Sequence, residues 1–179
     1  MINISKALKA SIRIVPDFPK KGISFKDITP VLLNPELNRQ VVETLANQVK
    51  DLGIDVVVGI DSRGFLFGNS LAIQLGLPFA LVRKTGKLPA DVVTETYELE
   101  YGTDTLQLHT DAIKIGDRVL IHDDLLATGG TAACAAKLIR NLGGEVVASS
   151  FIVELKFLDA RSKHNDKLGN IISLTSYDS

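Results

Sequence analysis

With 179 residues, 45% of them hydrophobic and 23% charged, the chain is long enough to bury most of its apolar surface around one core, so a single domain spanning 1–179 is expected. Lys and Arg total 20 against 21 Asp and Glu, a formal charge of -1 that excludes a general attraction for nucleic acid or an anionic membrane and makes any anion site a local one. Cys134 is the lone cysteine and no Cys and His set stands at metal-ligand spacing, which points to a reducing compartment, the cytoplasm. No apolar run approaches the roughly 20 residues that span a bilayer, and a membrane role is not expected.

In chain order, residues 1–15 set Lys6, Lys9 and Arg13 among apolar residues and read as an amphipathic helix, not a signal peptide. Asn34-Pro35-Glu36 is a helix start, because Asn caps free N–H groups and Pro sits where no N–H is missed. Leu37, Val41, Leu45, Val49 and Leu52 recur at helical spacing, and Gly53 is the stop. Residues 54–60 are almost wholly apolar and valine-rich, the pattern of a strand buried on both faces, ending at Asp61. A helix over 64–75, Gly76 as its stop and a strand over 78–82 repeat the grammar. A turn at Gly116-Asp117 launches a strand over 118–122, then a helix from 130 to 142 ended by Gly143-Gly144, and a strand over 145–153. Residues 171–174 add an edge strand, and the chain after Leu155 otherwise says nothing of function. Alternating strands and helices imply a mostly parallel sheet flanked by helices, an α/β fold. The stretch 84–104 has no helical period and reads as an excursion from the sheet, with 94–101 and 105–109 alternating as a hairpin.

The sharpest chemical pattern is the run Val119-Leu120-Ile121-His122-Asp123-Asp124-Leu125-Leu126-Ala127-Thr128-Gly129-Gly130-Thr131. Its strand delivers two carboxylates at its carboxyl end, where parallel sheets bind ligands, and a small-residue loop then opens a helix. Carboxylates accept from paired sugar hydroxyls, and glycines let main-chain N–H groups close on a phosphate at the positive end of a helix. Two acids after a strand can also merely cap a turn; joined to Thr-Gly-Gly-Thr they fit a ribose 5-phosphate. Neither G-x-x-x-x-G-K-[ST] nor G-x-G-x-x-G occurs, which disfavours a nucleoside triphosphatase or a dinucleotide enzyme.

That run resembles the phosphoribosyl-pyrophosphate motif of the type I phosphoribosyltransferases. Asp17-Phe18-Pro19 and Gly22-Ile23-Ser24-Phe25-Lys26-Asp27-Ile28-Thr29-Pro30 look like the base-recognition segment of the adenine phosphoribosyltransferases. Gly59-Ile60-Asp61-Ser62-Arg63-Gly64-Phe65 and Arg83-Lys84-Thr85-Gly86-Lys87-Leu88-Pro89 are similar to their pyrophosphate-binding segments. With Tyr97-Glu98-Leu99-Glu100-Tyr101-Gly102 the likeness runs from about Val15 to Glu154.

The resemblance implies the type I phosphoribosyltransferase fold with a small N-terminal hood at 1–33, carrying base recognition, and a flexible hairpin lid at 84–109. It implies transfer of a phosphoribosyl group from phosphoribosyl pyrophosphate to adenine, with Mg2+ bound mainly through the pyrophosphate substrate and a homodimer as the assembly. Asp123, Asp124, Ala127, Thr128, Gly129, Gly130 and Thr131 would hold the phosphoribosyl group, Asp124 also reaching the metal shell through water. Asp61, Ser62, Arg63, Arg83, Lys84 and Lys87 would meet pyrophosphate, and the Asp61–Ser62 peptide would be cis. Glu100 would be the general base beside the imidazole edge of the base, Arg63 a catalytic cation, and Tyr101 a lid residue. Ser24, Phe25, Lys26 and Leu125 would bind adenine, Phe25 and Leu125 sandwiching it. Lys26 stands where arginine is usual and Ser24 where an apolar residue is frequent, which leaves open a preference for hypoxanthine, guanine or xanthine. A phosphoribosyl-pyrophosphate-sensing regulator is the other alternative, though no basic patch marks a DNA-binding appendage.

Overall fold

The computed structural model describes residues 3–98 and 102–179. Helix α1, Ile4–Ser11, starts where the Asn3 side chain accepts from the Lys6 N–H. It stops well short of residue 15: Ile12 turns extended and Arg13–Val15 forms strand β1, paired antiparallel with β2, Phe25–Asp27. The alternation of β-branched Ile12, Ile14 and Val15 with Arg13 favours a strand once a partner is present, and Arg13 faces Asp27 across it at 3.6 Å. After β2 the Asp27 carboxylate accepts from the Thr29 N–H at 2.9 Å and opens the short helix α2, Thr29–Leu32.

Helix α3, Pro35–Val49, is capped by the Asn34 side chain as expected, and buries Leu37, Val41, Leu45 and Val49. It ends before Leu52, with Gly53 in the left-handed region three residues beyond its last cap bond. Strand β3, Val56–Ile60, is buried throughout; α4, Gly64–Leu75, ends on left-handed Gly76; β4 is Phe79–Lys84. Strands β5, Val92–Glu98, and β6, Thr103–His109, pair antiparallel. Then follow β7, Arg118–Leu126, α5, Gly130–Asn141, β8, Glu145–Leu155, α6, Ala160–Leu168, and β9, Asn170–Tyr177.

The main sheet has seven strands in the order β5-β6-β4-β3-β7-β8-β9, with β4, β3, β7, β8 and β9 mutually parallel. Two readings are corrected by it. The stretch 84–104 is no excursion, because β6 pairs with β4 at Arg83↔Gln107 and Lys84↔Leu106 and carries β5 as the sheet edge. Strand β7 does not end at His122 but runs through both acids, with Asp123 opposite Phe151 and Leu125 opposite Val153 of β8. The neighbouring long parallel strand supplies main-chain partners that keep the acids extended.

One face of the sheet packs on α5 and α6 through Ile121, Leu126, Ala135, Leu138, Ile139 and Leu168; the other packs on α1, α3 and α4 through Leu8, Leu45, Val57, Phe67, Leu71 and Leu120. Each fully buried aliphatic side chain contributes about 1.5–3 kcal/mol, enough in sum to fix the strand ends. From β3 the chain moves one way to β4, whereas β7 lies on the other side of β3. The carboxyl ends of β3 and β7 therefore flank a topological switch point, the place where open α/β sheets form their crevice. Among the described residues no helix is long and apolar enough to cross a membrane.

Candidate active site

The turn after β3 carries Asp61, Ser62 and Arg63 into the first turn of α4, and the Asp61–Ser62 peptide is cis. Beside it, the run of β7 carries Asp123 and Asp124. Gly64 is what lets the two meet: a Cβ there would lie 2.7 Å from the His122 main-chain oxygen and 3.1 Å from an Asp123 carboxylate oxygen. Only glycine allows α4 to start so close to the acidic strand.

Arg63 sits at the junction. Its Nη1 lies 3.1 Å from Asp124 Oδ2, with the carboxylate side chain 3% and the guanidinium 35% exposed. The same guanidinium lies over the Phe25 ring, 5.1 Å from the centroid, and Phe18 meets Phe25 edge-on at 5.1 Å. One cation thus links strand β2, the turn after β3 and the acids of β7. Asp124 is deeper than a strand-end acid facing solvent would be. Burial raises its pKa and Arg63 opposes the shift; the Asp123 pKa is raised by burial and then by the charge of Asp124. Asp123 Oδ1 accepts from the Asp124 N–H at 2.8 Å.

The basic segment divides. Arg83 Nε lies 3.2 Å and Lys87 Nζ 3.3 Å from Asp61 Oδ2, while adjacent Lys84 pairs with Asp104 of β6 at 2.9 Å. Neighbours on a strand point to opposite faces, which is why Arg83 and Lys84 part. Burial would raise the Asp61 pKa, but hydrogen bonds from Lys87 and Arg83 outweigh it and hold the carboxyl below its usual range. An anionic Asp61 orients these cations; it does not itself attract an anion.

The loop from Ala127 reaches α5 through left-handed Gly129, with Thr128 exposed and Gly130 and Thr131 half-buried. Across it stands a residue to which the sequence assigned no role: Tyr97 of β5, whose hydroxyl lies 3.2 Å from Thr131 Oγ1. Glu95, on the same strand, is held by Lys137 and Asn141 of α5, each at 2.8 Å. Glu100 and Tyr101 lie outside the described residues.

On β2, Lys26 is buried, donates to Ser24 Oγ at 2.8 Å, and packs its ammonium 4.6 Å from the centroid of Tyr177 on β9; burial lowers its pKa. Strand β9 therefore shapes this segment, a contact between residues far apart in the chain that no local pattern reveals. Leu125 is half-buried against the core. His122 is fully buried, with Nδ1 2.9 Å from Ser150 Oγ, and burial pushes its pKa down to about 4, so it stays neutral and structural. Among the described residues no cluster of three or more His, Cys, Asp or Glu side chains is placed to hold a metal ion.

A mostly parallel sheet with acids, a glycine loop and paired cations at one switch point defines a class, and residues 31–176 match the model of the phosphoribosyl transferase domain. The chain is 56% identical over 152 residues to an adenine phosphoribosyltransferase of Alkaliphilus metalliredigens, covering 85% of this chain and 89% of the relative. An adenine phosphoribosyltransferase structure from Thermoanaerobacter pseudethanolicus aligns at TM-score 0.92 and 50% identity, covering 96% of this chain and 99% of that one. The Giardia lamblia enzyme complexed with 9-deazaadenine aligns at TM-score 0.93 and 36% identity over 100% of both chains. The chain belongs to the adenine phosphoribosyltransferase family and has the type I phosphoribosyltransferase fold.

Proposed function

We infer that the chain transfers the 5-phosphoribosyl group of phosphoribosyl pyrophosphate to adenine, giving AMP and pyrophosphate, the salvage of a purine base. The observation that carries this reading is Arg63, which touches both the aromatic ring of the base-recognition strand and a carboxylate of the sugar-binding strand. Base, leaving group and sugar sites share one cation, as a reaction at the anomeric carbon requires.

A ring nitrogen of adenine bonds to the anomeric carbon while the bond from that carbon to pyrophosphate breaks, and the nitrogen's proton passes to a base, the role proposed for Glu100. Arg63, Arg83 and Lys87 meet the charge that develops on pyrophosphate, and positioned charge of this kind is often the largest catalytic contribution. Lys84 reaches it only by leaving Asp104. Asp123 and Asp124 accept from the ribose hydroxyls, and the main chain of 127–131 takes the 5-phosphate at the start of α5. Phe25 and Leu125 enclose adenine, with the main chain near Ser24 and Lys26 reading its edge.

Mg2+ would be held mainly by substrate phosphates and water, with Asp124 reaching its shell through water, as this hard cation keeps several waters when it binds. When bound, the ion neutralises and orients the leaving pyrophosphate. Residues 1–33 serve as the hood and 84–109 as the lid of a single domain, excluding water from an activated ribose. Exposed Leu66 and Ile73, seven positions apart on α4, fit an apolar face for a homodimer, checkable by light scattering. Cytoplasmic location follows from the lone thiol and the metabolic role.

The test is pyrophosphate release from phosphoribosyl pyrophosphate with adenine, hypoxanthine, guanine or xanthine. Turnover with adenine exceeding the others by about 100-fold is expected from a site that pairs its polar groups with one base edge. Equal or greater turnover with a 6-oxopurine would overturn the base assignment, and no release with any base would overturn the class of reaction.

A further inference from the structure

Helix α6 is almost entirely polar, yet it is held tightly. Arg161 forms a fork on the buried carboxylate of Glu154, Nε to Oε1 at 2.7 Å and Nη2 to Oε2 at 2.8 Å, and its Nη1 donates to the Ile171 carbonyl at 2.9 Å. Ser173 adds a hydrogen bond to the same carboxylate at 2.6 Å. Three residues after Arg161, and so on a neighbouring part of the helix surface, comes His164.

The ring of His164 lies directly behind the glycine loop. A Cβ on Gly129 would stand 2.6 Å from His164 Cδ2, 3.4 Å from its Nε2 and 3.3 Å from the Ala160 Cβ. Gly129 has φ 85° and is the cap from which α5 starts, so its conformation sets where the N–H groups of 129–131 point. The loop thus has a wall behind it that is neither its own helix nor its own strand.

We propose that His164 is a positioning residue for the loop that takes the 5-phosphate, its ring packed against Gly129 and fixing it from outside the phosphoribosyl motif. This rests on the assignment of 127–131 to the phosphate. Glycine at 129 is required twice, by its left-handed backbone and by the ring against it. The imidazole acts through the loop. Its loss lets the N–H groups drift, which weakens a phosphate held in both ground and transition states more than it slows the chemistry.

The experiment measures steady-state kinetics of the full chain carrying His164→Ala, His164→Gln or Asp124→Asn. His164→Ala should raise the KM for phosphoribosyl pyrophosphate by about 5- to 20-fold with kcat changed less than about threefold and the KM for adenine unmoved. His164→Gln, which keeps a planar side chain of similar reach against Gly129, should recover most of that loss. Combined with Gly129→Ala, His164→Ala should cost less than the product of the two single effects, since the ring that the new methyl strikes is gone. An unchanged KM in His164→Ala while Asp124→Asn is impaired would overturn the proposal alone. A fall in kcat or melting temperature without a KM change, unrelieved by Gln, would reduce the residue to a structural one and also overturn it. Failure of both His164→Ala and Asp124→Asn to alter use of phosphoribosyl pyrophosphate would overturn the site assignment itself.

Discussion

The edge formed by β3 and β7 and the hairpin of β5 and β6 both face the glycine loop, but they are built differently. The first is buried parallel strand on both sides, with Asp124 and Asp61 almost closed to solvent and each paired to a cation. The second joins the sheet by two residue pairs with β4 and buries Leu106 and Leu108 of β6 in the core, but its outer polar links are half-exposed: Lys84 to Asp104, Lys137 to Glu95, Tyr97 to Thr131. Groups that must hold a fixed geometry stand on elements that cannot shift without opening the core. The polar links at the outer edge of the hairpin are worth only about 0–1 kcal/mol each, which suits the lid role proposed for it.

Substitutions in the two regions should differ in kind. The largest effect is expected from Asp124→Asn, which leaves Arg63 without its anion and removes the carboxylate proposed to accept from the ribose hydroxyls. A drop of about 100-fold or more in kcat/KM for phosphoribosyl pyrophosphate is anticipated, with a far smaller change in the urea midpoint; a loss of stability as large as the loss of activity would erase the contrast.

Arg161→Ala probes the rigid side at a distance. Leaving Glu154 buried and unpaired should cost about 1–3 kcal/mol in urea unfolding, reduced from the full value for a buried pair because Arg161 is itself half-exposed. Burial pushes the Glu154 pKa up, but hydrogen bonds from Arg161 and Ser173 hold it below the usual range. The pair therefore stabilises the native protein above the unfolded glutamate pKa and loses that contribution as pH falls through the folded value. Unfolding free energy followed downward from about pH 5 should fall in the parent and fall less in Arg161→Ala, given the ordinary glutamate value of about 4.3.

The smallest effect is expected on the hairpin. Tyr97→Phe removes one hydroxyl contact and should change stability by no more than about 1 kcal/mol, while shifting the rate of protection of β5 amides in hydrogen exchange. A loss of stability rivalling that of Arg161→Ala would show the hairpin to be as firmly built as the strand ends.

How far the sequence could be read follows the same division. Helix α4 with its Gly76 stop, buried β3 and the capped start of α3 are set by residues close in the chain, and local chemistry was enough. The reach of β7 through Asp123 and Asp124 was not legible, since the acids are kept extended by β8, and polar residues alone read as a turn. Strand β1 was hidden because its three residues need β2 to be a strand at all. At the site, the acids, glycine loop, Arg63 and Phe25 declared themselves as motifs. His164 and Tyr177 did not, because nothing in a polar helix or a terminal strand reports which distant glycine or lysine it will touch.

The glycine at the head of α4 has a practical corollary. With no room for even a methyl group between that helix and the acidic strand, the two segments behave as one mechanical block. A graft exchanging the 61–64 turn with that of another transferase should succeed only when the matching stretch of β7 travels with it.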